Sequence, residues 1–115
     1  MAGNFDKNKA AREAHLKVIL TLRKILNANK KAFDNDSGAI YERPNTYRNI
    51  YYKSDIREAT ISDTFNGKTV PNTPTLLLII EAMGYNLIEF AEIYQNITPE
   101  EIAIADGKID QRDYF

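Results

Sequence analysis

The sequence predicts an all-α, single-domain protein, and three observations carry that prediction. Over the first quarter of the chain apolar residues recur at three- and four-residue steps, the spacing of one helix face. Thr46, Asn72, Asn86 and Thr98 each stand just before a later segment, where a short polar side chain can cap a helix. Gly67 and Gly84 close such segments, and glycine enters the left-handed C-cap conformation without steric penalty. A chain of 115 residues fills one hydrophobic core and is too short for two.

The elements follow in order. From about Asn8 to Lys31, His15, Ile19, Leu22 and Leu26, flanked by Val18 and Ile25, define a long amphipathic helix uninterrupted by Pro or Gly. After Phe33 the turn formers Asp34 to Gly38 and Glu42 to Asn45 surround the triplet Ala39-Ile40-Tyr41. The stretch from Ala32 to Asn45 is therefore expected to be an extended loop, with room for a small strand or hairpin. Thr46 caps a short second helix from Tyr47 to Ser54, and a third runs from Glu58 to Phe65 before Asn66-Gly67. Between them lie only Asp55, Ile56 and Arg57, and Asp tolerates the left-handed backbone a tight turn requires.

Asn72-Thr73-Pro74 opens a fourth helix, whose Leu76, Leu77, Ile79, Ile80 and Met83 make it apolar on most of its circumference and hence central. Asn86-Leu87-Ile88-Glu89 has capping-box spacing and starts a fifth helix carrying Phe90, Ile93 and Tyr94. Thr98-Pro99-Glu100-Glu101 begins a short extra C-terminal helix ending near Gly107. The expected domain spans 1–107. Residues 108–115 form a tail that is mobile unless Tyr114 and Phe115 dock.

Composition excludes several functions. The absence of cysteine rules out disulfides, zinc fingers, iron–sulfur clusters and thiol nucleophiles, and the single His15 leaves little for imidazole catalysis or metal ligation. Its spacing from Ile19, Leu22 and Leu26 marks His15 as a packing or surface residue. Glu100-Glu101 and Asp34/Asp36 are the only close carboxylate pairs, and both sit in capping or turn contexts. A non-enzyme needing no cofactor or metal is expected. The longest apolar run, Leu76 to Ile80, is far too short to cross a bilayer, and residues 1–9 carry no apolar signal segment, so a cytoplasmic protein is expected. Charge is segregated. Residues up to Arg57 hold 12 Lys/Arg and 6 Asp/Glu, and the remainder holds 3 and 10, which suggests that one side meets a polyanion.

Cap, helix, three-residue turn, helix and Asn-Gly, from Thr46 to Gly67, spell a helix-turn-helix unit, whose second helix can lie in a DNA major groove. The run Thr-Tyr-Arg-Asn-Ile-Tyr-Tyr-Lys-Ser-Asp-Ile-Arg-Glu-Ala-Thr-Ile-Ser-Asp-Thr-Phe-Asn-Gly resembles, without a gap, the same stretch of the lambda-repressor-like Cro/CI and Xre-type regulators. The likeness extends to Leu22-Arg23-Lys24-Ile25, Val70-Pro71, Thr75-Leu76 and Met83 to Phe90, covering about two thirds of the chain. It implies five helices around one core and sequence-specific binding to double-stranded DNA. Ile50, Ile56 and Ile61 match the family's apolar anchors.

The resemblance also assigns contacts. Thr46 and Tyr47 stand where the family touches phosphate at a helix N-terminus. Glu58, Ala59, Thr60, Ser62 and Asp63 take the outer face of the recognition helix, with Arg57 before it and Lys68 after it as phosphate contacts. Three positions depart from the pattern: Tyr51 replaces a small residue and must find room between two helices, Asp55 replaces Gly, and Thr64 replaces an aliphatic side chain. The 32–45 loop is longer than the family's usual link and is open to use as a lid, a wing or a partner contact.

These features point to a repressor-like transcriptional regulator. The alternative is a protein-interaction module on the same fold, such as an antitoxin or accessory partner in a phage or mobile-element system, which the acidic Glu58 and Asp63 favour. Tyr41, Tyr47, Tyr51 and Tyr52 lie near lysines and arginines, where tyrosines stack on bases or, more often, simply pack. The apolar Ile93, Tyr94, Ile97, Ile102 and Ile104 suggest a homodimer patch. Lys7, Lys9 and Arg12 read equally well as a DNA-contacting arm or as a solvated helix start.

Overall fold

A computed structural model of the chain describes residues 7–35 and 44–108. They form six α-helices: α1 (Lys7–Asn35), α2 (Tyr47–Ser54), α3 (Glu58–Phe65), α4 (Thr73–Ala82), α5 (Leu87–Gln95) and α6 (Pro99–Lys108). The described residues are thus all-helical, as the periodicity and caps predict. Tyr41, the hairpin expected around it, and Tyr114 and Phe115 of the tail lie outside the described residues. No helix among those described is long and apolar enough to cross a membrane.

The starts of α2, α4, α5 and α6 are built by groups three residues apart, whereas Arg57 before α3 makes no side-chain cap. Thr46 Oγ1 accepts the Asn49 N–H at 3.1 Å, and Asn72 Oδ1 accepts that of Thr75 at 2.9 Å. At α5 the cap is reciprocal: Asn86 Oδ1 accepts from Glu89 N–H at 2.8 Å while Glu89 Oε1 accepts from Asn86 N–H at 3.0 Å. Thr98 and Glu101 repeat the box at α6. Behind α3 and α4 the chain turns through left-handed glycines, Gly67 at φ 76° and Gly84 at φ 85°. Lys68 N–H bonds Asp63 O and Tyr85 N–H bonds Ile80 O, the six-to-one bond of a Schellman stop.

α1 is the spine. Its Leu22, Ile25 and Leu26 meet Ile50 of α2, Ile61 and Phe65 of α3, Ile79, Ile80 and Ala82 of α4, Met83 and Phe90 in one buried cluster. Nearer its start, Leu16 and Ile19 meet Ala105 of α6, with Leu20 and Ile102 packed alongside. Lys24 pairs with Glu101 at 2.7 Å and Arg12 with Asp106, so α6 is fastened to α1 along its length. Lys24, helped by Thr98, holds the Glu101 carboxyl below its ordinary pKa. Arg12 is consequently a strut between helices. It is not part of an N-terminal arm, and of the three cations considered for that role only Lys7 and Lys9 remain exposed at the start of α1.

Three further expectations need correction. α1 continues to Asn35, so Ala32 and Phe33 belong to its last turn instead of the loop. Lys30, Lys31 and Ala32 are good helix formers, and half-burial of Ala32 and Phe33 rewards the extension. α4 is not surrounded: Leu78 is 46% exposed while Ile79 and Ile80 are buried. The expected dimer patch is largely consumed inside the fold, where α1 packs against both α5 and α6. Ile97 is buried, Ile93, Tyr94 and Ile102 pack against the two clusters, and only Ile104 stands out, 59% exposed.

Polar side chains of α1 also grip the ends of other helices. Arg23 Nε donates to Phe65 O at 2.9 Å, meeting a carbonyl that the last turn of α3 leaves without a helical partner. The fully buried Asn29 Nδ2 donates to Pro44 O at 2.9 Å and Met83 O at 3.1 Å. Replacing Asn29 by Leu is expected to cost about 1–3 kcal/mol in urea unfolding, since two buried carbonyls lose their donor. A variant as stable as the parent would show that water reaches both.

His15 is buried in α1, and its pKa is lowered, first by desolvation and further by the charge of Arg12, against the opposing effect of a hydrogen bond from the ring to the Thr69 backbone carbonyl. The folded state therefore favours the neutral ring. Its contribution is complete above about pH 6.5, where the unfolded chain is neutral too, and is lost as pH falls through the lower folded value. Between pH 7.5 and 5.5 the urea midpoint should fall further for the wild type than for His15→Gln. Equal falls would assign the acid sensitivity elsewhere.

Candidate nucleic-acid interface

α2 and α3 are joined by a turn that their own side chains specify. Asp55 takes the left-handed conformation at φ 62°, ψ 16°, and its N–H bonds Tyr51 O at 2.8 Å, ending α2. Ser54 Oγ donates to Ile50 O at 2.7 Å and accepts from Ile56 N–H at 3.1 Å, which closes the turn from inside. Ile56 then packs against the main core, and α3 begins at once.

Burial divides α3 into two faces. Ile61, Thr64 and Phe65 are buried, whereas Glu58, Ala59 and Thr60 are exposed. The hydroxyl of Thr64, at a position where the resemblance implies an aliphatic residue, is accommodated by donating to Thr60 O at 2.8 Å. Arg57 and Lys68 are both exposed at opposite ends of the helix. Ser62 and Asp63 are half-buried, closer to the base of the exposed face than to its crest. Ser62 also carries the Asn66 amide, which donates to its carbonyl at 2.9 Å.

At the start of α2, Thr46 is exposed and spends its hydroxyl on the cap, leaving the N–H groups of Tyr47 and Arg48 without helical acceptors. Tyr47 is half-buried with its ring 5.1 Å from that of Phe65, so it packs α2 on α3 as well as flanking this helix end. Lys30 of α1 lines a shallow groove beside it with Leu26, Asn45 and Thr46.

Tyr51 does not enter the space between α2 and α3. It lies 37% exposed with its ring 5.4 Å from that of Tyr52, which is 69% exposed, so a residue of this size fits without prying the helices apart. Sequence reasoning also passed over Arg48. Its Nε lies 3.6 Å from Glu58 Oε2, a pair that bridges the first turns of α2 and α3. The signal was present as opposite charges on either side of a three-residue turn, but only the crossing of the helices brings them together.

The turn makes its own prediction. Left-handed backbone costs an ordinary L-residue about 1–2 kcal/mol and glycine nothing comparable. Asp55→Gly is therefore expected to leave the Tm level or raise it, and Asp55→Val to lower stability by about that amount. Equal losses in thermal melts would mean that residue 55 is not left-handed in solution.

The chain matches no family model, no curated protein and no solved structure.

Proposed function

We propose that the protein is a sequence-specific DNA-binding transcriptional regulator, repressor-like, built as a lambda-repressor-like helix-turn-helix domain. One observation carries the reading: α3 is buried on Ile61, Thr64 and Phe65 and exposed on Glu58, Ala59 and Thr60, directly after a turn closed by Asp55 and Ser54. A major groove admits one helix, and a helix so held presents short polar side chains to base edges. Arg57 and Lys68 bracket it with cations suited to phosphate, and the start of α2 offers free N–H groups to another phosphate. A homodimer would let two such helices read a pseudo-palindromic site, and Val70, Leu78, Leu87, Ile88 and Ile104 are exposed apolar side chains among the described residues that could form it.

A protein partner in place of DNA is favoured by separate observations, the exposed Tyr51 and Tyr52 on α2 and the exposed acidic Glu58 that opens α3. Selection from a random duplex pool decides between the two. For the DNA reading, one motif is enriched, and Thr60→Ala costs about 1–3 kcal/mol on it while relaxing one or two base positions. Arg57→Ala or Lys68→Ala instead weakens all sequences about equally and reduces the slope of log affinity against log salt by roughly one. Retention of no duplex at low salt, with a single protein co-purifying through the α3 face, would put the interaction module in its place.

A further inference from the structure

We infer that Arg48 is a specificity-determining residue, which holds the Glu58 carboxylate in position to accept from a base amino group and screens it from phosphate. The inference rests on the DNA-binding reading and names what that site reads. Glu58 is the first residue of α3, the end that leads a recognition helix into the groove, and it is exposed. A bare carboxylate there opposes a polyanion. Arg48, from the first turn of α2, reaches across the turn to within 3.6 Å of Glu58 Oε2 and is itself largely exposed.

In water such a pair adds little to stability, because solvent screens it and two long side chains must be ordered. Its place in the fold gives it another use. The pair sits between the start of α2, where phosphate is expected, and the start of α3, where bases are expected, so binding would strip water from it and strengthen the attraction. A carboxylate accepts on two oxygens. With Oε2 turned to Arg48, Oε1 remains to accept a hydrogen bond, and cytosine N4 is the base amino group that carboxylates read. A guanidinium has five N–H donors, so Arg48 can hold Glu58 and a backbone phosphate together. Arg48 is thus a positioning residue for Glu58 and a phosphate contact at once.

The test is a double-mutant cycle with wild type, Arg48→Met, Glu58→Gln and the double variant. Each is measured on the duplex that wild type selects and on a version with the relevant cytosine exchanged, and both side chains are exposed enough that far-UV circular dichroism and Tm should not change. Arg48→Met is expected to weaken binding to the selected site about tenfold and to erase the cytosine preference at one position. In the Glu58→Gln background the same substitution should cost about threefold or less, because no carboxylate remains to be held. An identical loss in both backgrounds, with the cytosine preference intact, overturns the inference and leaves Arg48 a plain phosphate contact. If wild type enriches no motif at all, it is the DNA-binding reading that has failed.

Discussion

Asn29 places a buried amide between two carbonyls that lie far apart in the chain, Pro44 at the entry to α2 and Met83 at the end of α4. Both carbonyls belong to segments where a helix begins or stops, so neither has a helical donor to meet it. About nine angstroms further back along α1, roughly one and two thirds turns, Arg23 does the same for the Phe65 carbonyl at the end of α3. Hydrophobic burial of Leu22, Ile25 and Leu26 draws these elements to α1, but burial is non-directional and would tolerate a sliding contact. The two polar side chains set the register.

With α1 tied to those ends, the α2–α3 unit is held from behind and its front is left uncovered. The residues that lock it are all on the rear: Ile50, Ile61 and Phe65 in the core, Ser54 within the turn, and Tyr47 against Phe65. Glu58, Ala59 and Thr60 are free of structural duty beyond the backbone, apart from the Glu58 pairing with Arg48. This division between a determined rear and an unencumbered front is what a helix needs in order to present side chains to another macromolecule. It also explains how Tyr51 and Tyr52 are tolerated, because both stand on the exposed side of α2.

Folding also rearranges the charge that the sequence segregates. The basic first half and acidic second half are brought together where α6 lies on α1, and Arg12 and Lys24 are matched by Asp106 and Glu101. Part of the apparent cationic excess of α1 is therefore internal to the protein. Arg48, Arg57 and Lys68 remain around α3 together with the acidic Glu58. A local balance of a few charges, not a broad basic surface, frames this face, which makes the position of each side chain matter more than the net charge of the half that contains it.

The sequence by itself determined the six helices, the caps of α2, α4, α5 and α6 and the glycine stops of α3 and α4, because each depends on groups within about four residues of one another, but not the end of α1, which half-burial of Ala32 and Phe33 carries on to Asn35. Thr46, Asn72, Asn86 and Thr98 accept from backbone N–H groups three residues on, Gly67 and Gly84 take the left-handed turns, and Asp55 supplies the tight turn expected of it. The helix-turn-helix reading of residues 46–67 rests on the same local chemistry. Only the tertiary structure decided which faces were used. α6 folding onto α1 half-buried Ile102 and turned Arg12 into a strut, and the packing of α2 on α3 sent Tyr51 outward, brought Arg48 to Glu58 and left Ser62 and Asp63 half-covered. Periodicity tells which side chains share a stripe, whereas the partner that covers the stripe comes from tens of residues away and is fixed by the summed packing of all six helices.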